Sequence, residues 1–303
     1  MILQRIKNKI ARVVTNYKED KYLQNVILNK SGVYEFSKYD LELYKIEKRA
    51  IMPTKKVNKY SDELKTISIK SHEIYWPSSV SDDDLPWLYH EIFDNYEENP
   101  SSYDNPNMNY EKADWIIDAG CCEGFFSLFS FDKNKNCCVI ALEPLQEMEK
   151  SLYKTFENKV TENKFILEQK ALGKDCGTVL FSFNNEHLCD SSMQENISCN
   201  QNSKNTVYEV EVTSLDILMK NHDLKENGII KMDIEGAEMD ALKGGVELMS
   251  KYKPRLAIAV YHDYENALKC KEIILKANPQ YKVEFRGMYG YFNPPRPYIL
   301  FAW

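Results

Sequence analysis

Basic residues are the minority in this chain of 303 residues: 39 Lys and Arg stand against 46 Asp and Glu, a formal charge of −7. That balance argues against a dedicated nucleic-acid binder, which presents a basic face. No apolar run approaches the roughly 18 residues of a membrane-crossing helix. The opening Met1-Ile2-Leu3 gives way at once to Gln4 and Arg5, so a secretory apolar core is not expected there. Glycine and proline number only 11 each, which excludes a fibrous or low-complexity chain. No C-x-x-C spacing occurs among the eight cysteines, and no repeat with a period of 20–50 residues is visible. The two adjacent pairs, Cys121-Cys122 and Cys137-Cys138, are poor chelates and poor disulfides, because neighbouring strand side chains point to opposite faces. Reduced, mostly buried thiols in a cytoplasmic protein are the expectation.

What is present is ample material for a core: 43% of residues are hydrophobic and 12% aromatic. Seven of the first thirty residues are basic and two acidic, so the remainder is strongly acidic. Ile2, Leu3, Ile6, Ile10, Val13 and Val14 recur at helical spacing among basic residues. This amphipathic segment is expected to pack on its own domain, with a membrane surface or a partner as the alternative. A helix is expected over 39–50, β-like segments over 66–69 and 73–76, and a helix start near the Asp82-Asp83-Asp84 run, whose charge suits a positive helix end. The Asn-, Pro- and Ser-rich stretch 99–109 suggests a boundary between an extension over 1–110, mainly helical, and a main domain over 111–303.

From residue 114 strands alternate with helices, the signature of a mostly parallel α/β sheet. Strands are expected over 115–119, 137–142, 165–167, 178–183, 207–212, 228–234, 256–261, 281–286 and 297–302. The helices fall near 125–131, 145–158, 214–220, 237–250 and 265–277, and 184–205 reads as a long polar loop.

Asp118-Ala119-Gly120-Cys121-Cys122-Glu123-Gly124 follows the first of these strands. A glycine there allows a tight turn and a close ligand approach, and the next helix offers free N–H groups. Glu143 closes the second strand, about 25 residues after Asp118, where a carboxylate can accept both hydroxyls of a ribose. The loop lacks the G-x-G-x-x-G that receives a pyrophosphate, and Glu123 adds negative charge. A cationic sulfonium tolerates that loop and a dinucleotide does not, so the reading leans to S-adenosylmethionine over NAD. Lys231, Asp233 and Glu235 alternate at the end of a buried strand, where unpaired polar groups are costly. The structural alternative is a Lys231–Asp233 ion pair with Glu235 capping the next helix. Tyr261-His262-Asp263 ends the strand after it.

These residues, with Leu142-Glu143-Pro144, Ala171-Leu172-Gly173, Thr213-Ser214-Leu215-Asp216, Lys243-Gly244-Gly245 and the run Lys231-x-Asp233-x-Glu235-Gly236-Ala237-Glu238, resemble the FkbM-type methyltransferases over about 114–303. Cys121-Cys122 departs from the Ala-Asn common in that family. The resemblance implies a class I Rossmann-like fold, a seven-stranded sheet with an antiparallel C-terminal hairpin, and S-adenosylmethionine-dependent O-methylation, often of glycan or natural-product sugars. By position it implies Asp118, Gly120, Cys122 and Gly124 around the methionine portion, Glu143 at the ribose, and Ala171 and Leu172 near the adenine. Asp233, Glu235 and His262 would then face the methyl group and acceptor, with His262 or Asp233 as the base and Lys231 holding the carboxylates. A divalent metal on Asp233, Glu235 and His262 is the less favoured variant.

Three rivals are a methyltransferase acting on RNA ribose hydroxyls, an NAD-dependent oxidoreductase, and a non-catalytic Rossmann-fold binding module. The acidic balance opposes the first and the loop opposes the second. A small-molecule or glycan acceptor is expected, contacted by the 184–205 loop, the extension, and Arg286, Tyr289, Tyr291 and Arg296.

Overall fold

The computed structural model describes residues 18–30, 32–183, 192–194 and 206–303. The amphipathic segment 1–14 and most of the polar 184–205 loop lie outside the described residues. A helix runs through 18–29, and a second spans Lys38–Glu47. Ser37 starts the latter with a capping box: its hydroxyl accepts from the Asp40 N–H while the Asp40 carboxylate accepts from the Ser37 N–H. The extension is less helical than its pattern suggests. β1 (Lys55–Lys59), β2 (Leu64–Ile69) and β3 (His72–Pro77) form an antiparallel three-stranded sheet. β1 carries no apolar alternation, so only its pairing with β2 makes it a strand. The helix Leu85–Phe93 follows the acidic run, as expected.

β4 (Trp115–Ala119), β5 (Cys138–Leu142) and β6 (Phe165–Glu168) open the main sheet. The chain then builds β7 (Ala171–Leu172), β8 (Gly177–Phe183), β9 (Ser192–Gln194) and β10 (Thr206–Thr213) before returning with β11 (Gly228–Met232), β12 (Arg255–Ala259), β13 (Val283–Tyr289) and β14 (Arg296–Ala302). Seven strands pair in the order β13-β14-β12-β11-β4-β5-β6, with β14 antiparallel to both neighbours and the rest parallel. β7 to β10 form a separate four-stranded sheet. Burial separates the two kinds of strand: β4 and β11 are buried at every position, whereas Glu209 and Glu211 of β10 stay exposed on either side of buried Val210.

Adjacent side chains of the main sheet feed opposite cores. Ile116, Val139, Ile229 and Ala257 face one layer; Ile117, Ile140, Ile230 and Ile258 face the other. The first layer contains Phe125 and Phe129 of the helix Phe125–Lys133 together with Trp76, Leu85, Tyr89 and Ile92 of the extension. Burying a side chain such as Leu85 or Ile92 contributes about 1.5–3 kcal/mol, so the extension shares in the stability of the sheet it covers. Cys137 and Cys138 follow the same rule, one packing in each layer. A single helix over 237–250 is not formed. Glu238–Lys243 and Val246–Tyr252 are separate helices, broken at Gly244-Gly245, where a Cβ would meet the Gly173 carbonyl oxygen at 2.5 Å and the Leu215 side chain at 2.6 Å.

Candidate active site

From β4 the chain steps outward to β5 and β6, then crosses back to β11 on the other side of β4. That reversal opens a crevice at the carboxyl ends of β4 and β11, the place where open α/β sheets bind ligands. A cavity of about 780 Å³ occupies it, within the usual range for small-molecule sites.

The floor is the loop after β4. Gly120 has φ +73°, and a Cβ there would lie 1.9 Å from the Asp233 carbonyl oxygen. Glycine is required because the backbone leaving the neighbouring strand β11 lies against this position, a stricter reason than ligand approach. The Gly120 and Cys121 N–H groups both donate to the Leu142 carbonyl at 3.1 Å, tying the loop to the end of β5. Cys122, at φ +46°, donates its N–H to Glu143 at 2.7 Å, and the other Glu143 oxygen accepts from the Leu145 N–H at 2.9 Å. Burial pushes the Glu143 carboxyl up to about 7 against these two donors. Burial does the same for Glu123, which also reaches about 7.

Lys231 crosses beneath this floor. Its ammonium lies 3.2 Å from Asp118 and donates to the Gly120 carbonyl at 2.7 Å and the Ala119 carbonyl at 3.3 Å. The other Asp118 oxygen accepts from Ser127 at 2.7 Å. Burial works against the Lys231 charge, but Asp118, Asp233 and Glu123 outweigh it and raise its pKa. The Lys231–Asp233 pair considered from sequence is therefore replaced by Lys231–Asp118.

Beyond β11, Glu235 at φ +55° and Gly236 at φ +99° turn the chain sharply. The cap of that turn is Glu238, not Glu235: one Glu238 oxygen accepts from the Ile234 and Gly236 N–H groups, each at 3.2 Å. Its other oxygen accepts from the Asn266 amide at 3.0 Å. His262, after β12, lies within 3.5 Å of Asp233, 3.4 Å of Glu235 and 3.1 Å of Glu238, without the alignment of a hydrogen bond at either nitrogen. Burial alone would push the imidazolium down, but these three carboxylates hold its pKa up at about 11. Asp233 is raised by burial, which His262 and Lys231 only partly offset. Its two oxygens face the Tyr103 hydroxyl at 3.3 Å and the Tyr261 hydroxyl at 3.5 Å. A divalent ion would find ligand atoms of Asp233, Glu238 and His262 within 4.8 Å of one another, with Glu238 in the place expected for Glu235. Both Glu238 oxygens are already engaged, so the trio suits a proton on His262 better than a metal.

The expected site residues divide clearly. Gly120, Cys122, Glu143, Ala171, Leu172, Lys231, Asp233 and Glu235 all line this cavity. Asp118 is buried beneath it, and a Cβ on Gly124 would meet Phe156 at 2.8 Å, away from the lumen. His262 stands behind Asp233 and Glu235. Tyr289 and Tyr291 line the cavity as expected for acceptor contacts. Arg286 does not: it stacks on Tyr96 and donates to the Tyr96 and Asn99 carbonyls, drawn inward to anchor the extension. Arg296 is similarly occupied, donating to the Tyr261 carbonyl at 3.0 Å over the Phe292 ring. Trp87, Glu91 and Tyr103 of the extension also face the cavity, and their sequence carries no motif that announces it. Among the described cysteines, Cys121, Cys137 and Cys270 are buried thiols outside any disulfide. Among the described residues, no helix is long and apolar enough to cross a membrane.

The family description of the methyltransferase FkbM domain matches residues 118–286, more than half of the chain. The crystal structure of an FkbM methyltransferase from Methylobacillus flagellatus KT is similar, at 19% identity and a TM-score of 0.50; the match covers 74% of this chain but only 56% of that one. A SAM-dependent O-methyltransferase from Thermotoga maritima matches at 14% identity and a TM-score of 0.35, over 65% of this chain and 61% of that one. A precorrin-6Y C5,15-methyltransferase from Geobacter metallireducens GS-15 matches at 13% and 0.36, over 65% and 82%. No curated protein matches the chain in sequence.

Proposed function

Since this chain belongs to the FkbM methyltransferase family, we propose that it binds S-adenosylmethionine at the crevice between β4 and β11 and transfers its methyl group to a hydroxyl of a sugar or glycan-type acceptor. The observation that carries this reading is the charge of the wall: Glu123, Glu143, Asp233 and Glu235 line the cavity, while its two ammonium groups, Lys170 and Lys231, are held by Glu168 and Asp118. A cationic sulfonium and amine fit that wall, and a pyrophosphate does not.

Bound there, the cofactor supplies an activated methyl group, so the chain's own work is placement and proton handling. Glu143 retains lone pairs for ribose hydroxyls, and the engaged backbone of Gly120 and Cys122 fixes the floor. Asp233 is the base in this reading. Its raised pKa brings it toward a useful range, whereas His262, already protonated at neutral pH, cannot accept a proton. His262 instead orients Asp233 and offsets the surrounding carboxylates. Tyr261 and Tyr289 stack at 4.9 Å, and with Tyr291 and Phe292 they give the cavity an aromatic lining suited to a sugar ring.

Calorimetric titration with adenosylmethionine and with NAD tests the donor, and labelled-methyl transfer to a sugar panel and to RNA tests the acceptor. Binding of NAD alone, or transfer to RNA alone, would overturn the reading.

A further inference from the structure

The donor half of the cavity comes from residues inside the family match, but much of the opposite wall does not. Trp87, Glu91 and Tyr103 precede residue 118, and Tyr289, Tyr291 and Phe292 follow residue 286. That wall has definite supports. The helix Leu85–Phe93 is stacked through Phe93 on His72, with ring centroids 4.1 Å apart, and set edge-on through Tyr89 against Phe125 at 5.4 Å, while Tyr289 stacks on Phe292 at 5.4 Å. Arg286 binds the carbonyls of Tyr96 and Asn99, closing the extension against β13.

The wall is aromatic and acidic. The Glu91 side chain is half-buried and lines the cavity, close enough to Asp233 to feel its charge. Among the described lining residues the cations are Lys170 and Lys231, and each is already paired. The two arginines of β13 and β14 are spent on backbone carbonyls. His262 contributes one positive charge, but it is enclosed by Asp233, Glu235 and Glu238.

We infer that Glu91 is a specificity-determining residue, taking a hydrogen bond from an acceptor hydroxyl and, with Asp233 and Glu235, restricting the site to acceptors that carry no anionic group. This rests on the proposed function, since it describes the acceptor side of that same cavity. Neutral and ammonium-bearing sugars are admitted; phosphorylated sugars, uronates, nucleoside-diphosphate sugars and RNA are excluded. The physical reason is that an anion brought among these carboxylates finds no unpaired cation among the described lining residues. The carboxylates already crowd one another: burial and the charges of Asp233 and Glu47 push Glu91 up to about 8, so its charge acts fully only above that pH and the acceptor comparison below is made at pH 9. An anionic acceptor would force further protons onto the site, whereas aromatic faces and hydrogen-bond acceptors suit a neutral polyol.

The test uses the full chain and sets of acceptors matched in shape and differing in charge. Methyl glycosides of glucose, galactose, mannose and rhamnose are compared with hexosamines, uronates, sugar phosphates and UDP-sugars, by transfer of labelled methyl. The expected result is at least tenfold higher kcat/KM for the neutral or amino member of a set than for its anionic counterpart. Glu91→Gln should raise KM for the neutral acceptor about tenfold and narrow the charge preference, with adenosylmethionine affinity within twofold of the parent. Glu91→Lys should narrow the preference further. Preference for an anionic member, no transfer to any neutral or amino member while the cofactor binds normally, or an unchanged charge preference in both variants overturns the inference alone. Failure to bind adenosylmethionine overturns the proposed function as well.

Discussion

Lys231 and Asp118 meet at 3.2 Å across β11 and β4, and the same ammonium holds the Gly120 carbonyl at 2.7 Å. One buried ion pair thus fixes both the two central strand ends and the loop that floors the cavity. Lys231→Met leaves Asp118 buried and without its counter-charge. It is expected to cost roughly 3–5 kcal/mol in urea unfolding and to weaken adenosylmethionine binding. The double variant Lys231→Met/Asp118→Asn should cost clearly less than the sum of the two single changes, because no buried charge remains.

Gly120→Ala should be damaging for backbone reasons. The added Cβ would lie 1.9 Å from the Asp233 carbonyl oxygen at a φ of +73°. A cost of about 1–3 kcal/mol corresponds to a fall in Tm of roughly 2–12 °C in a domain of this size. Displacing Asp233 should also lower kcat. A variant with the parent's Tm and turnover would refute the close approach of Asp233 as the reason for this glycine.

Asp233→Asn should reduce kcat by about 10²–10⁴-fold while adenosylmethionine Kd stays within severalfold. His262→Gln is expected to act differently. The imidazolium lowers the Asp233 pKa, so removing it should move the acid limb of the kcat profile to higher pH and leave activity recoverable there. An unshifted limb would remove Asp233 from the role of base.

Stability has its own pH signature. His262 titrates near 11 in the fold against 6.5 in the unfolded chain. A group raised by folding stabilises fully below its unfolded pKa and loses that contribution as pH rises through the folded one. The stability difference between the parent and His262→Gln should therefore be flat below about pH 6.5 and shrink above it, at up to roughly 1.4 kcal/mol per pH unit. Paired urea melts at pH 6 and pH 9 measure it.

The legible parts of the molecule were those in which local pattern and environment coincide. β4, β5, β11 and β12 are apolar runs because both faces of the central sheet are covered, and such runs show in the sequence. The run from Lys231 to Glu238 was legible as a cluster but not in its wiring. Period-two alternation ends with β11 at Met232; the turn at Glu235 and Gly236 then redirects the chain, so capping falls to Glu238 and Lys231 reaches across to β4. Trp87, Glu91 and Tyr103 could not be placed from sequence, because only tertiary packing of the extension on Phe125 and Phe126 brings them to the cavity. Arg286 misled for the complementary reason: an arginine near an expected cavity was satisfied by two main-chain carbonyls instead.

The anchoring of Arg286 has a further consequence. The cavity is closed by two segments far apart in sequence, and the guanidinium stacked on Tyr96 is one of the ties between them, beside the Tyr44–Tyr291 ring pair. Loosening that tie would release the Tyr96–Asn99 carbonyls from β13 without touching Glu123, Glu143 or Asp233. Under the proposed function, acceptor choice would then rest on this joint as much as on the groups that line the cavity.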